Sequence, residues 1–288
     1  MAPKLSLSQG IKTKSVEVLI PRIANSSDRV VQEIFLQAAQ KSYALGIVCL
    51  QKDINIEKRD TEGNSPLHLA VGFADADRNA DELIQAFVAK KADLNSTNAK
   101  GQTPLHLAAS EGKVDMIKAL LQAGAKATLA DKNEMTPIDV ALETRNIQIV
   151  GAFGENLNLP GEDHNTLLTA AAVDNDEEKA KLLIEAGADL NIADGLKNTP
   201  LHIAATKGYT DLALYLINKG AALTPQNWYG DTPLHYAIRE RRYDIGGELL
   251  TAMQAKKIDS NIENEYGETP TSIAKENGYF EGNKTVES

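Results

Sequence analysis

Apolar positions along this chain follow two alternating rhythms. A compact run such as Leu105-His106-Leu107-Ala108-Ala109 is followed, beyond Gly112, by Val114, Ile117, Leu120 and Leu121 at helical spacing. A polar stretch then intervenes before the compact run starts again. The first rhythm predicts a short helix rich in small residues, the second an amphipathic helix with one buried stripe, and the polar stretch a turn. A helix pair of this size has no second surface of its own to bury that stripe against, so successive copies must stack.

The copies are explicit. Thr103-Pro104-Leu105-His106-Leu107-Ala108-Ala109 returns as Thr199-Pro200-Leu201-His202-Ile203-Ala204-Ala205, as Thr232-Pro233-Leu234-His235-Tyr236-Ala237 and, nearly, as Ser65-Pro66-Leu67-His68-Leu69-Ala70. The first alanine of each copy gives the markers Ala38, Ala70, Ala108, Ala141, Ala171, Ala204, Ala237 and Ala274, spaced by 32, 38, 33, 30, 33, 33 and 37 residues. Each motif residue has a physical task. Thr103 can cap the helix by accepting from an orphan N–H, and Pro104 fits the first helical position because its missing N–H costs nothing there. His106, at the third helical position, can reach back to the threonine as in a capping box. Ala108 and Ala109 let a second helix approach, while Gly112 and Gly124 end the two helices.

A period near 33 residues with a Thr-Pro-Leu-His-x-Ala signature resembles the ankyrin repeat, over roughly residues 30–288. The resemblance implies an all-α solenoid of stacked helix-turn-helix units joined by hairpin loops. The repeats are expected at 30–61, 62–99, 100–132, 133–162, 163–195, 196–228, 229–265 and 266–288, with the outer two degenerate. Residues 1–29 do not fit and are set apart as an arm or cap containing Val16-Glu17-Val18-Leu19-Ile20.

Departures from the pattern carry their own expectations. The first repeat has Ile34-Phe35-Leu36-Gln37 where the signature belongs. The second is too long through Phe73-Ala74-Asp75-Ala76-Asp77-Arg78-Asn79. The fourth puts Asp139 where histidine stands elsewhere, and its second helix is interrupted by Gly151 and Gly154. The fifth begins Thr166-Leu167-Leu168-Thr169, with neither proline nor histidine. The seventh has a second helix extended through Met253 to Lys257. The eighth stops after one helix, with Thr271 and Ser272 giving it a wet outer face. Arg241 stands where other copies have Gly112 and Gly208, which predicts a left-handed backbone under a long side chain.

Charge and composition narrow the partners. Thirty basic and forty acidic residues leave a net charge of −10. Residues 1–29 hold five basic and two acidic residues, so everything after them carries −13. An acidic body repels phosphate backbones, so nucleic acid is not the expected partner. The opening residues, Met1 to Gly10, offer no apolar run of signal-peptide length, and no stretch approaches a bilayer span. The single cysteine, Cys49, excludes an internal disulfide and suits a reducing, cytoplasmic setting.

Chemistry finds little to stand on. His68, His106, His202 and His235 occupy the capping position and are placed there by the fold; His164 alone precedes a degenerate motif, on a hairpin tip. Asp75-x-Asp77-x-Asn79 copies the opening of a calcium loop, but Ala80 and Ala86 stand where glycine and a bidentate glutamate are required. The run Asp174-Asn175-Asp176-Glu177-Glu178 is accounted for as a helix cap in favourable dipole register. No metal, no cofactor and no catalytic constellation is expected, and the chain is read as a non-enzyme.

The remaining signal is surface chemistry. Trp228, the only tryptophan, and Tyr229 lie on the tip before the seventh motif, Tyr266 on the matching tip of the eighth, and Arg239 at the end of the seventh first helix. In ankyrin-repeat proteins partners engage hairpin tips and the exposed side of the first helices. Carried over, this marks Trp228, Tyr229, Arg239 and Tyr266, with Phe73 and His164 at the margin, as partner-binding residues. Two readings of Trp228 are open: an exposed anchor, or a ring folded down and packed between repeats. The expected function is a monomeric protein-binding scaffold. The alternatives are a secreted effector of an intracellular bacterium, acting in host cytosol, and a structural or inhibitory subunit of a complex.

Overall fold

The computed structural model describes residues 50–51, 54–72, 79–161 and 164–278. Residues 1–29, Cys49, the signature region of the first repeat, Phe73 with Asp75 and Asp77, and the tail after Gly278 lie outside the described residues. What is described divides into two compact halves, split between Phe153 and Gly154.

Every described element is helical. In the N-terminal half these are α1 (Pro66–Val71), α2 (Ala80–Ala89), α3 (Pro104–Ser110), α4 (Val114–Gln122), α5 (Pro137–Glu143) and α6 (Ile147–Gly151). The C-terminal half opens with a 3-10 turn (Gly154–Asn158). It continues through α7 (Leu167–Asp174), α8 (Glu177–Glu185), α9 (Pro200–Lys207), α10 (Thr210–Asn218), α11 (Pro233–Arg239), α12 (Tyr243–Ala255) and α13 (Pro270–Glu276).

The start of each first helix is built as the motif requires. Thr103 has an extended backbone, its hydroxyl accepts the His106 N–H, and Pro104 opens α3. Ser65 and Thr199 repeat the arrangement at α1 and α9. Where histidine is missing, a shorter side chain takes over part of the task. The Asp139 carboxylate accepts both the N–H and the hydroxyl of Thr136 (3.0 and 2.6 Å). Thr169 in the fifth repeat donates back to the Thr166 carbonyl instead (3.0 Å).

Packing follows from the small residues. The marker alanines from Ala70 to Ala274 are all buried, and across them α3 lies between α1 and α5, while α9 and α11 line up between α7 and α13. Second helices form their own row, α2 beside α4 and, in the other half, α10 between α8 and α12. On α4 the buried stripe is Met116, Ile117, Ala119 and Leu120, with Val114 and Leu121 only half-buried at its edges. The stripe is therefore rotated by about a residue from the spacing expected. Each fully buried Leu, Ile or Met contributes about 1.5–3 kcal/mol, which makes the stripe the main stabiliser of the pair.

Two irregular repeats come out as expected. The second helix of the fourth is cut to five residues, and Gly154 follows at φ 52°. The second helix of the seventh is extended to 13 residues, but it ends at Ala255 rather than Lys257, which has turned to φ 55°. Arg241 does sit in the left-handed region, at φ 57°, and Arg145 holds the equivalent place in the fourth repeat at φ 53°. The glycine at the same place in the sixth repeat, Gly208, has a second use: a Cβ there would stand 2.7 Å from the Arg242 side chain, which lies across it.

Candidate functional site

The four signature histidines join repeats as well as capping helices. Thr103 N–H donates to His106 Nδ1 (3.0 Å), which fixes that nitrogen as an acceptor. The proton is then on Nε2, which donates to the Met135 carbonyl of the next repeat (2.9 Å). His68 reaches the Gln102 carbonyl (2.8 Å), His202 that of Asp231 (3.0 Å), and His235 that of Glu268 (3.2 Å). Burial lowers the pKa of all four, that of His202 to about 4, so they are neutral near pH 7. A neutral imidazole with both nitrogens bonded is a structural strut, with no lone pair left for a metal or a substrate.

Asparagines on the tips bond in the opposite sense. Asn98 donates back to Asn64 (3.0 Å), Asn227 to Asn198 (2.8 Å) and Asn264 to the Asp231 carboxylate (2.8 Å). A backbone rung runs beside them. Ala99 N–H donates to the Glu62 carbonyl, Lys132 to Lys100, Trp228 to Leu196 and Glu265 to Tyr229, all at 2.9–3.2 Å. The tips are thus held in one register, and side chains on successive tips fall into rows.

Among the described residues the seventh tip is heavily braced. Arg239 grips the Asp231 carboxylate with two bonds (2.6 and 3.1 Å) and reaches Glu268 on the eighth tip (3.0 Å). Its guanidinium also lies 5.7 Å from the Tyr236 ring centre. Burial by itself would raise the Asp231 carboxyl, but the bonds from Arg239 and Asn264 outweigh it and hold the pKa below the ordinary value. Gln226 ties the Gly230 and Glu263 carbonyls together (2.8 and 2.9 Å). Gly230 itself is needed at φ 73° because a Cβ would stand 2.6 Å from the Glu265 nitrogen.

Above this bracing lies an apolar row. Leu196, Trp228, Tyr229 and Tyr266, on three consecutive tips, are 52%, 65%, 45% and 69% exposed. The third tip position carries Leu196, Tyr229 and Tyr266 in turn, whereas in the N-terminal half it carries Glu62, Lys100 and Asn133. Exposed apolar side chains set in register on a rigid frame are what an interaction surface requires.

Comparison with known proteins bears on the family and the fold. A family profile described as ankyrin repeats (3 copies) matches residues 73–166 and again residues 167–259, about two thirds of the chain. The chain belongs to the ankyrin-repeat family. The crystal structure of the ankyrin repeat domain of Bcl-3, described as a unique member of the IkappaB protein family, is similar at a TM-score of 0.50. It is 26% identical, and the likeness covers 74% of this chain and 94% of that one. The human transient receptor potential cation channel subfamily A member 1 is 27% identical over 99 residues. That match spans 33% of this chain but only 9% of the channel protein.

Ankyrin repeats generally mediate protein–protein interaction, and no enzyme family is indicated. Among the described residues no helix is long and apolar enough to cross a membrane, and no group of acidic, His or Cys side chains is arranged to hold a metal. Trp228 is not folded down between ankyrin repeats; it stands out from the tip, with Tyr229 and Tyr266 beside it. Arg239 is close by but is engaged by two carboxylates. His164 is exposed at φ 65° on the fifth tip, against Gly195, and so borders the row next to Leu196. Phe73 lies outside the described residues. Leu196 was not singled out in the sequence, though its register with Tyr229 and Tyr266 was there to be read.

Proposed function

We propose that the protein is a non-catalytic scaffold that holds a partner protein on the tips of its sixth, seventh and eighth repeats. The anchors are Trp228, Tyr229 and Tyr266, with Leu196 extending the row and His164 at its border. Arg239 acts from beneath, as the brace that keeps the seventh and eighth tips in register. The observation that carries this reading is the row of three exposed apolar side chains in register, Leu196, Tyr229 and Tyr266, with exposed Trp228 beside Tyr229, on hydrogen-bonded tips. Aromatic side chains on a frame of this kind bind with little loss of conformational entropy. With one cysteine in the sequence no intramolecular disulfide can form, and a reducing compartment suits the chain.

The experiment is affinity capture from lysate with the wild-type chain and with a Trp228→Ala, Tyr229→Ala variant as baits. A partner held by the first and lost by the second supports the reading. Truncating an anchor is expected to weaken binding by about 2 kcal/mol or more, roughly 30-fold. A partner retained equally by both baits would place the interaction elsewhere and end this proposal.

A further inference from the structure

Among the described residues the backbone rung between tips stops at an open position. In the four steps that fall within the described residues the N–H of the second tip residue donates to the carbonyl of the third residue on the tip before it: Ala99 to Glu62, Lys132 to Lys100, Trp228 to Leu196, Glu265 to Tyr229. The next carbonyl in this series is that of Tyr266, and among the described residues no N–H is set against it. It lies at the end of the apolar row, on the most exposed aromatic side chain among the described residues.

We infer that this row receives an extended peptide segment of a partner, whose backbone N–H continues the rung onto the Tyr266 carbonyl. The inference rests on the functional reading above and gives its partner a chemistry. An exposed acceptor at the end of an ordered ladder is a template for strand addition, where main-chain bonds supply affinity and alternate side chains supply specificity. Here the side-chain surface is aromatic, through Trp228, Tyr229 and Tyr266. The charge beside it is acidic. Glu263 and Glu265 lead into Tyr266, both are exposed, and neither forms an ion pair among the described residues. Glu268 is already held by Arg239 and Asn264. The complementary segment therefore carries aliphatic or aromatic residues two apart, as a strand presents them, together with lysine or arginine. Those cations would meet the two glutamates and the faces of the exposed rings. The bonds of Gln226 to the Gly230 and Glu263 carbonyls hold the site in shape before anything binds.

Panning a display library of short random peptides against the full chain reads the preferred pattern directly. Synthetic copies of the enriched peptides are then titrated by the emission of Trp228, the only tryptophan in the chain. The expected peptides have apolar residues at strand spacing with at least one Lys or Arg, and they shift the emission to shorter wavelength. Methylation of one backbone nitrogen in the peptide should weaken binding about tenfold or more, and so should a Glu263→Lys, Glu265→Lys variant of the chain. Apolar residues at helical spacing, indifference to both changes, or no enrichment would each overturn the inference. So would binding that emerges only when residues 279–288 are deleted, since the open rung would then belong to the chain's own tail. The two proposals fail separately. A cellular partner lost with Trp228 and Tyr229, combined with enriched peptides of helical type, removes the inference and leaves the scaffold reading standing.

Discussion

Nε2 of His202 lies 3.0 Å from the main-chain carbonyl of Asp231 in the following repeat, while its Nδ1 accepts the N–H of Thr199 at the start of its own helix. One ring thus closes a helix end and a repeat joint together. Replacing it with alanine removes both bonds and leaves a hole in a fully buried site. His202→Ala is expected to cost about 3 kcal/mol. A urea midpoint shifted by less than about 1 kcal/mol equivalent would show that the ring merely fills space.

The same geometry sets a pH dependence. Burial depresses the folded pKa of His202 from 6.5 to about 4. A lowered histidine pKa means that the unfolded chain takes up the proton first as pH falls. The contribution is therefore complete above pH 6.5 and is lost through the window down to about 4. At about 1.4 kcal/mol per unit, His202 alone accounts for about 3 kcal/mol, and His68, His106 and His235 act in the same direction. Urea titrations between neutral pH and about 5 should show a steady loss of stability, and a flat profile would contradict the bonding described.

Arg239 makes a prediction that charge alone does not. Its planar fork holds Asp231 with two bonds and Glu268 with a third, and a lysine cannot reproduce that geometry. Arg239→Lys and Arg239→Ala are both expected to destabilise by about 2 kcal/mol, because Asp231 is only 3% exposed and its carboxylate would lose its main partner. Retention of wild-type stability by the lysine variant, measured in the same urea titration, would show that a point charge suffices.

Arg241 and Arg145 hold left-handed backbone where Gly112 and Gly208 stand in other repeats. Strain in that region costs a side-chain-bearing residue about 1 kcal/mol, part of which glycine gives back as unfolded-state entropy. Arg241→Gly is expected to raise stability by about 0.5 kcal/mol, seen as a small increase in thermal midpoint. A decrease would mean that the arginine side chain makes contacts worth more than the strain.

The architecture was legible because it is written several times over. Thr103, Pro104 and His106 state a helix start in local chemistry, and four copies of it at a regular spacing state the stack. Even the irregular places were readable wherever one copy could be laid on another, as with Arg241 over Gly208. The site was less so. Whether Trp228 stands out or folds down depends on how tips meet, which no single repeat contains. Arg239 read as a partner-binding residue, and its part as a brace was not legible because its second carboxylate, Glu268, lies 29 residues further on. Leu196 passed unnoticed since a lone leucine in a loop says nothing until its row-mates on two other tips are placed beside it.

The direction of the bonds at each joint has a mechanical consequence. Within each half, histidines donate forward to the next repeat and asparagines donate backward, so a joint is bolted from both sides. Joints in series all carry the same tension when the stack is pulled along its length, and the one with fewest bolts opens first. In the C-terminal half the fifth repeat has Thr169 where a histidine would reach into the sixth, and its hydroxyl turns back on its own helix instead. That joint is closed on its second helices, where Glu185 of the fifth repeat accepts from Tyr215 and pairs with Lys219 of the sixth (both 2.6 Å). Under load the Trp228 surface therefore stays tied to the fifth repeat through side chains far from the tips.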